Sequence, residues 1–488
     1  MKHSGSDTVK SGNYQRPLNT TETLNFKEIP QWLMECAHTL LSHGFQAYLV
    51  GGAVRDLLLG LTPQDWDLTT DALPETVETL FSESYPSGKN FGTITVAHQG
   101  HHVEITTMRQ DIGYSDGRRP DHILFTHDIL TDLSRRDFTI NAMAYDFRSQ
   151  LLIDPYNGRK DLYHRRLQTV GEPKERFKED GLRMFRFFRF LATMDLRPDP
   201  KALKAIHPDF AQWLSAERIR DELSRLLVGT NVRSALDLLE QSGLLTQVIP
   251  ELKVRQFNQS SLYPSLWHHL LETTAAIQPR LELRWAALLH DVAKPLTFQQ
   301  DETGVHYYHH DRLGAELSQK ILSRLRYSKA FIQSVSHLIQ WHMFQLPSNA
   351  TDAAIRRLIH SVGPQVIPDL LELRRADIVA TGRITRQTWH IWNELSERIT
   401  LLAAEAQSPH TQKLAVNGQD LIEQFQLKPG PLIGKLLAYL TDIVIENPES
   451  NEKTQLLHFA KDYLQKNQGL NLPSSHNPQD SAGYHQSD

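Results

Sequence analysis

Leu49-Val50-Gly51-Gly52-Ala53-Val54-Arg55-Asp56 and, a short way on, Asp65-Trp66-Asp67 carry the grammar of a phosphate site. Ala47–Val50 is a short apolar run of strand type, the two glycines punctuate it, and a helical pattern starts at once. Glycine lets a backbone approach an anion, and a helix N-terminus offers N–H groups with no partner of their own. Arg55 lies one turn into that helix, within reach of the same anion. Asp65 and Asp67 stand at i and i+2, which on a strand share one face. Paired carboxylates repel unless a cation lies between them, and Mg²⁺ favours such oxygens together with substrate phosphates. Glu104, on a later strand candidate, is a third acid for that cluster. Alone, a Gly-Gly before a helix is a turn and an Asp-x-Asp a solvated loop; in this order they support each other.

Working outward, helical periodicity covers Ile29 to Leu41 and returns after Pro74. Gly92–Val96 and His102–Thr107 read as strands joined by a turn at Gln99-Gly100. Mixed α/β structure is thus expected to about residue 160. Beyond it almost every segment has a 3.6-residue period, as in Leu182–Leu191, Ile219–Leu227, Val232–Leu239 and Leu283–Leu289. No repeat of fixed period stands out, which disfavours a solenoid. Breaks fall near Pro250 to Pro264 and near Gly382. The expected division is a flexible 1–24, an α/β head over 25–160, a helical neck over 161–255, and a His-rich helical domain over 256–385. A helical body or tail over 386–470 and a disordered 471–488 complete it.

With 488 residues the chain has room for about three domains. Apolar residues at 40% and charged residues at 22% are globular usage, and a net charge of −5 excludes a strongly basic nucleic-acid coat, though not a local basic cleft. The lone Cys36 excludes a disulfide framework or a multi-Cys zinc site, and in its apolar helix it reads as a buried bystander. The N-terminal stretch lacks the apolar core of a signal peptide, and no run is long enough to span a membrane. A cytoplasmic protein is expected.

Further along stand Arg135-Arg136-Asp137-Phe138-Thr139-Ile140-Asn141-Ala142, Asp154-Pro155-Tyr156-Asn157-Gly158 and Glu179-Asp180-Gly181-Leu182-Arg183. Together with the opening stretch, these strings resemble the polymerase-β-type nucleotidyltransferases. More narrowly, they resemble the bacterial class II tRNA nucleotidyltransferase and poly(A) polymerase group, over residues of about 45 to 230. The resemblance implies a polymerase-β-like head followed by helical neck and body. It implies that Asp65 and Asp67 hold catalytic Mg²⁺, beside which Glu104 remains the candidate third acid, and that Gly51, Gly52 and Arg55 take the triphosphate. Arg136, Asp137 and Asn141 would sit by the sugar and phosphates of the incoming nucleotide. Asp180 and Arg183, expected as neighbours on one helix, would imitate a base edge and choose cytosine or adenine without a template. The loop Tyr114-Ser115-Asp116-Gly117-Arg118-Arg119-Pro120 would be the mobile element that switches from C to A addition, through Asp116, Arg118 and Arg119.

Phe185, Phe187, Phe188 and Phe190 alternate with Arg183, Arg186 and Arg189, and Arg218, Arg220 and Arg225 follow. The phenylalanines read as helix core, and some of the arginines as facing RNA phosphates.

A second constellation lies in Leu288-Leu289-His290-Asp291-Val292-Ala293-Lys294, expected in an apolar helix, with Trp267-His268-His269 upstream and His309-His310, His342 and Ala376-Asp377 downstream. Buried charge of this kind wants a partner or a metal. The spread resembles the HD phosphohydrolase domain. By that likeness His269, His290, Asp291 and Asp377 are metal ligands, with His268 as the substitute for His269. His310 and His342 would line the site, and Lys294 would take phosphate. A His/Asp set suits Ni, Co, Mn or Zn.

The resemblances together imply CCA addition to the 3′ end of tRNA from CTP and ATP by a two-metal mechanism, with an HD phosphohydrolase behind it. Rival readings are a poly(A) polymerase, a CC- or A-adding specialist, and an HD phosphohydrolase whose head only binds RNA. Oligomeric state is not legible in the sequence.

Overall fold

The computed structural model describes residues 28–114, 120–258, 264–382, 385–407 and 413–468. The expectations for 1–24 and 471–488, and for Asp116, Arg118 and Arg119, lie outside the described residues.

In chain order the strands of the head are β1 Ala47–Val50, β2 Asp67–Thr70, β3 Ser84–Gly88, β4 Thr93–His98, β5 His101–Thr107, β6 Arg109–Ile112, β7 His122–Phe125, β8 Ala144–Asp146 and β9 Leu152–Ile153. Seven of them form one mixed sheet, in the order β3-β4-β5-β2-β1-β8-β9. β1 is antiparallel to both neighbours and buried along its whole length, as its unbroken apolar run requires. β2 runs parallel to β5, which sets Asp67 beside Glu104. The turn at Gln99-Gly100 closes the β4–β5 hairpin with both residues at positive φ (50° and 78°), as a tight two-residue hairpin needs. The helix Gln31–Ser42 packs Leu33, Cys36, Ala37 and Leu40 into the core, the i, i+3, i+4, i+7 stripe of an amphipathic helix. Burial pushes the Cys36 thiol up to about 11, which suits an inert core residue.

From Pro173 onward the chain is almost wholly helical. The neck helix Leu182–Met194 buries Phe185, Phe187, Phe188 and Phe190, so these are core, as expected. One continuous core joins the head, the neck and the following helices through Ala403. The helix Arg386–Ala406, assigned to the C-terminal body by sequence, shares that core through Trp392, Leu395, Ile399 and Leu402. A separate core begins at Val416 and ends at Leu464.

Three local expectations are corrected. Asp65 lies in the bend before β2, and only Asp67 is in the strand. Asp180 ends one helix, Pro173–Glu179, in extended conformation, while Arg183 belongs to the next, Leu182–Met194. The break is therefore at Asp180, and Gly181 after it is already in helical conformation as the N-cap of the next helix. His290 and Asp291 follow the helix Leu281–Leu289 and occupy the turn beyond its end.

Candidate functional site

Gly51 has φ 70°, a conformation side chains rarely adopt, and a Cβ there would come within 3.1 Å of the Arg136 guanidinium and 3.8 Å of the Asp67 carboxylate. The turn is therefore glycine both for its backbone and for the charged groups crowding it. Asp65 is exposed and Asp67 half-buried. Burial, then the neighbouring Glu104 carboxylate, with a smaller push from Asp65, raise the Asp67 carboxyl to about 6, although Arg136 pulls it down. A partly buried carboxylate crowded by other acids favours a hard cation, and its all-oxygen donors fit Mg²⁺.

Arg136 is aimed by Asp132, a fully buried carboxylate that holds Arg135 at 2.7 Å and Arg136 at 3.3 Å. Burial alone would raise the Asp132 carboxyl, but the two guanidinium groups hold it below its usual range. This anchor was missed in sequence, although its i, i+3 and i, i+4 spacing on a helical stretch was visible.

Asp137 is buried and already occupied. Its Oδ1 accepts from Phe138 N–H (2.8 Å) and the Asn141 amide (3.1 Å), and Oδ2 accepts from Arg186 Nε (2.8 Å). Burial opposes its ionisation, yet Arg186 and Asn141 hold it down to about 2. Asn141 in turn accepts from Arg55 at 2.7 Å, so Arg55 is tied into the same network. Arg186 lies 3.8 Å from Glu222, which receives Arg189 at 2.5 Å. Arg55, Arg186 and Arg189 all stand over the Phe190 ring, the last at 4.0 Å. The expectation of arginines facing RNA is thereby corrected for Arg186 and Arg189: each is committed to an internal carboxylate. Arg218 and Arg220 also pair, with Asp180 and Asp221, and Arg225 is exposed.

Asp180 and Arg183 do not pair with each other's side chains. Asp180 accepts from Leu182 N–H (3.0 Å) and Arg218 (2.9 Å). Arg183 is buried against Glu179 (2.5 Å) and donates to the Arg135 carbonyl at 3.0 Å, which ties the neck to the Arg135-Arg136 string. The Asp154–Gly158 string proves to be a brace. Asp154 accepts from the backbone N–H of Gly158 and Arg159, and a Cβ on Gly158 would lie 2.2 Å from the Thr139 carbonyl. Close approach there seats the Asp137–Asn141 turn.

The second constellation converges from distant helices. His269 comes from the helix Leu266–Ala276, His310 from the start of His310–Arg324, and Asp377 from Ile367–Ala380; His342 caps the end of Lys329–Trp341. His269 Nε2 lies 3.2 Å from His290 Nε2, 3.4 Å from Asp291 Oδ2 and 3.1 Å from Asp377 Oδ1. His290 Nε2 is 3.2 Å from Asp291 Oδ2, and Lys294 Nζ is 2.5 Å from the same oxygen. His269 is 1% exposed at its side chain and His268 40%, so the register left open in sequence falls on His269; His268 faces Glu272. Burial alone would lower the His290 pKa, but the Asp291 and Asp377 carboxylates raise it to about 10. Both carboxyls are held well below their usual range against burial, Asp291 by His290 and Lys294, and Asp377 by His269 and His290. The ligand atoms of His269, His290 and Asp291 lie within 4.8 Å of one another, as do those of Asp291, His310 and His342, so the cluster has the donors and the spacing to hold a metal ion.

No helix among the described residues is long and apolar enough to cross a membrane. Residues 47–168 match the family model for the poly A polymerase head domain, 197–255 that for a probable RNA and SrmB-binding site of polymerase A, and 308–460 that for a putative second domain of tRNA nucleotidyltransferase. The CCA-adding enzyme of Lactococcus lactis subsp. cremoris is 32% identical over 428 residues, covering 87% of this chain and 94% of its own. That of Staphylococcus epidermidis is 32% identical over 423 residues, covering 86% and 94%. The crystal structure of the Bacillus stearothermophilus CCA-adding enzyme in complex with CTP superposes with a TM-score of 0.68 at 28% identity, over 89% of this chain and 98% of that one.

Proposed function

This chain belongs to the CCA-adding enzymes, and we propose that it completes the 3′ end of tRNA from CTP and ATP with release of pyrophosphate. The observation that carries the proposal is the meeting of Asp67 and Arg136 at the Gly51 turn, with Glu104 beside Asp67 on the neighbouring strand. Asp65, Asp67 and Glu104 would hold Mg²⁺, which when bound supplies Lewis-acid stabilisation of the attacking hydroxyl and the leaving pyrophosphate. Arg136, aimed by Asp132, and Arg55, reached through Asn141, supply fixed positive charge for the triphosphate oxygens. Gly51 and Gly52 let those oxygens come close to the backbone. Asp137 and Asn141 hold Arg55 and Arg186 in place, and through them orient the sugar and phosphates.

Asp180 and Arg183 choose the base, Asp180 with its carboxylate steadied by Arg218 and Arg183 with its guanidinium steadied by Glu179. Fixed acceptors and donors of this kind can discriminate without a template. The test is extension of tRNA ending before CCA, before CA and before A, with CTP, ATP or both. Ordered growth that stops at CCA is expected. A stop at CC, or activity only on the CC-ended substrate, would make the enzyme a specialist, and long A-tails would make it a poly(A) polymerase.

The buried His/Asp cluster supports a second activity beside the first. His269, His290, Asp291 and Asp377 would form an HD-type centre for Ni, Co, Mn or Zn, which when bound activates water toward a phosphoester. Lys294 would meet the substrate phosphate. Metal-dependent release of phosphate from a phosphomonoester, or hydrolytic opening of a 2′,3′-cyclic phosphate at an RNA end to a phosphomonoester, tests this, and loss in His290→Gln is the expected result. The work of both sites on tRNA suits the cytoplasm.

A further inference from the structure

Three guanidinium groups share one aromatic ring where the head meets the neck. Phe190 is buried on the helix Leu182–Met194, and Arg189, Arg55 and Arg186 stand 4.0, 5.4 and 5.6 Å from its ring centroid. Arg186 precedes it by four residues on the same helix and is a same-face neighbour. Arg55 comes from the head, out of the helix Gly52–Leu58 that follows the glycine turn. Phe138, inside the Arg135–Ala142 string, meets the same ring edge-on at 5.5 Å and 84°. The glycine turn, the Asp137 turn and the neck thus all reach Phe190.

Positive charges gathered this closely repel. Each has a carboxylate to answer it: Asp56 for Arg55 at 2.8 Å, Asp137 for Arg186 at 2.6 Å and Glu222 for Arg189 at 2.5 Å. A guanidinium donates within its own plane, so such contacts set its direction and leave its faces free. The face of a benzene ring is the negative side of a quadrupole and attracts cations, more strongly where water is excluded. An aliphatic side chain would fill the same space and offer the three cations nothing.

Arg55 is the member of this group that faces the glycine turn. Its Nη1 donates to Asn141 Oδ1 at 2.7 Å and its Nε to Asp56 at 2.9 Å, and a Cβ on Gly52 would lie 3.4 Å from its Nη2. The guanidinium is therefore folded back over the turn where the backbone lets an anion approach. We infer that Phe190 is a positioning residue for nucleotide binding, its ring face holding the Arg55 guanidinium where it meets the triphosphate. The inference rests on the reading of Arg55 as a triphosphate ligand and adds the residue that sets it. The ring acts on the phosphate end, so CTP and ATP depend on it equally.

The test replaces Phe190 in the full chain, by stop-codon suppression, with phenylalanines that carry one, two and three ring fluorines. Each fluorine drains charge from the ring face and changes its shape little, so the attraction for cations weakens step by step. Addition of one C to tRNA lacking CCA reads CTP, and addition of A to tRNA ending in CC reads ATP. KM for both nucleotides should climb with each fluorine, to about five- to tenfold at the third, with kcat and the CTP/ATP preference held. A higher KM at constant kcat marks lost binding that ground and transition states share. A packing role alone gives a flat KM, because shape is kept, and that result overturns the inference. Melting temperatures are taken alongside, and if the third fluorine loosens the fold the first two still give the slope.

Arg55→Ala separates the inference from its premise. It should raise KM for both nucleotides by itself, and the fluorine series in that background should add nothing. A KM that ignores Arg55→Ala removes Arg55 from the triphosphate, and the inference with it. A KM that answers Arg55→Ala but not fluorine overturns the inference and leaves the premise standing. A full fluorine effect in the absence of Arg55 assigns the ring to Arg186 or Arg189 and also overturns it.

Discussion

The acid cluster of the head and the His/Asp cluster behind it are opposite answers to the same problem of concentrating charge. The first uses oxygen donors only, stands open at Asp65 and half-open at Asp67, and takes its acids from two paired strands and the bend before one of them. The second uses imidazole and carboxylate, lies buried at His269, His290, Asp291, His310 and His342, and draws on the ends and faces of several helices. An open oxygen site suits a weakly held ion that arrives with a nucleotide, because Mg²⁺ keeps waters and shares substrate phosphates. A buried nitrogen-rich site suits a resident ion, since its empty form leaves polar atoms without partners.

The sharpest way to break this contrast is to disable one cluster and read the other. Asp67→Asn should lower tRNA extension by ~10²–10³-fold or more, the scale on which loss of one preorganised charged group acts. The same variant should bind transition metal at the His/Asp cluster as the parent does. Conversely, His290→Gln should abolish the stabilisation that metal confers, about 2.7 kcal/mol at a hundredfold excess over Kd. It should leave tRNA extension intact, and thermal melts with and without metal measure the difference. Cross-effects in both directions would mean that the clusters form one functional unit.

Asp180→Ala leaves Arg218 without its carboxylate and removes one of the proposed base contacts. Discrimination between CTP and ATP should fall by about tenfold, the worth of a modest contact, while transfer survives. Single-nucleotide incorporation assays read this directly, and unchanged selectivity would remove Asp180 from the base-reading role. The smallest effect concerns pH. Asp67 titrates near 6 in the metal-free fold, above its ordinary 3.8. A raised carboxyl holds its proton as pH falls through 6, so extension at limiting Mg²⁺ should rise with pH across that value. Excess Mg²⁺ competes with the proton and should move the midpoint downward. A midpoint indifferent to Mg²⁺ would detach Asp67 from the metal.

The head was legible in sequence to a large degree, because its signals are local. The apolar run Ala47–Val50, the glycines after it and the Gln99-Gly100 turn each act within a few residues. Less visible were β3, an exposed edge strand of Ser, Tyr, Pro and Gly that carries no alternating pattern, and the β6–β7 hairpin. The break at Asp180 was overlooked because helical periodicity resumes at once on its far side. The arginines of the neck looked free because their acids, Asp137 and Glu222, are far away in sequence.

What the sequence alone determined was chemistry: oxygen donors and glycines at one place, imidazoles and carboxylates at another, in an order that brought a family likeness into view. Spacing could put Asp65 and Asp67 together because two residues apart is a local relation. It could not choose between His268 and His269. That choice depends on how the helices carrying His269, His310, His342 and Asp377 cross. Crossing is decided by burying their apolar faces in one core, a relation among residues far apart in the chain that no local pattern encodes.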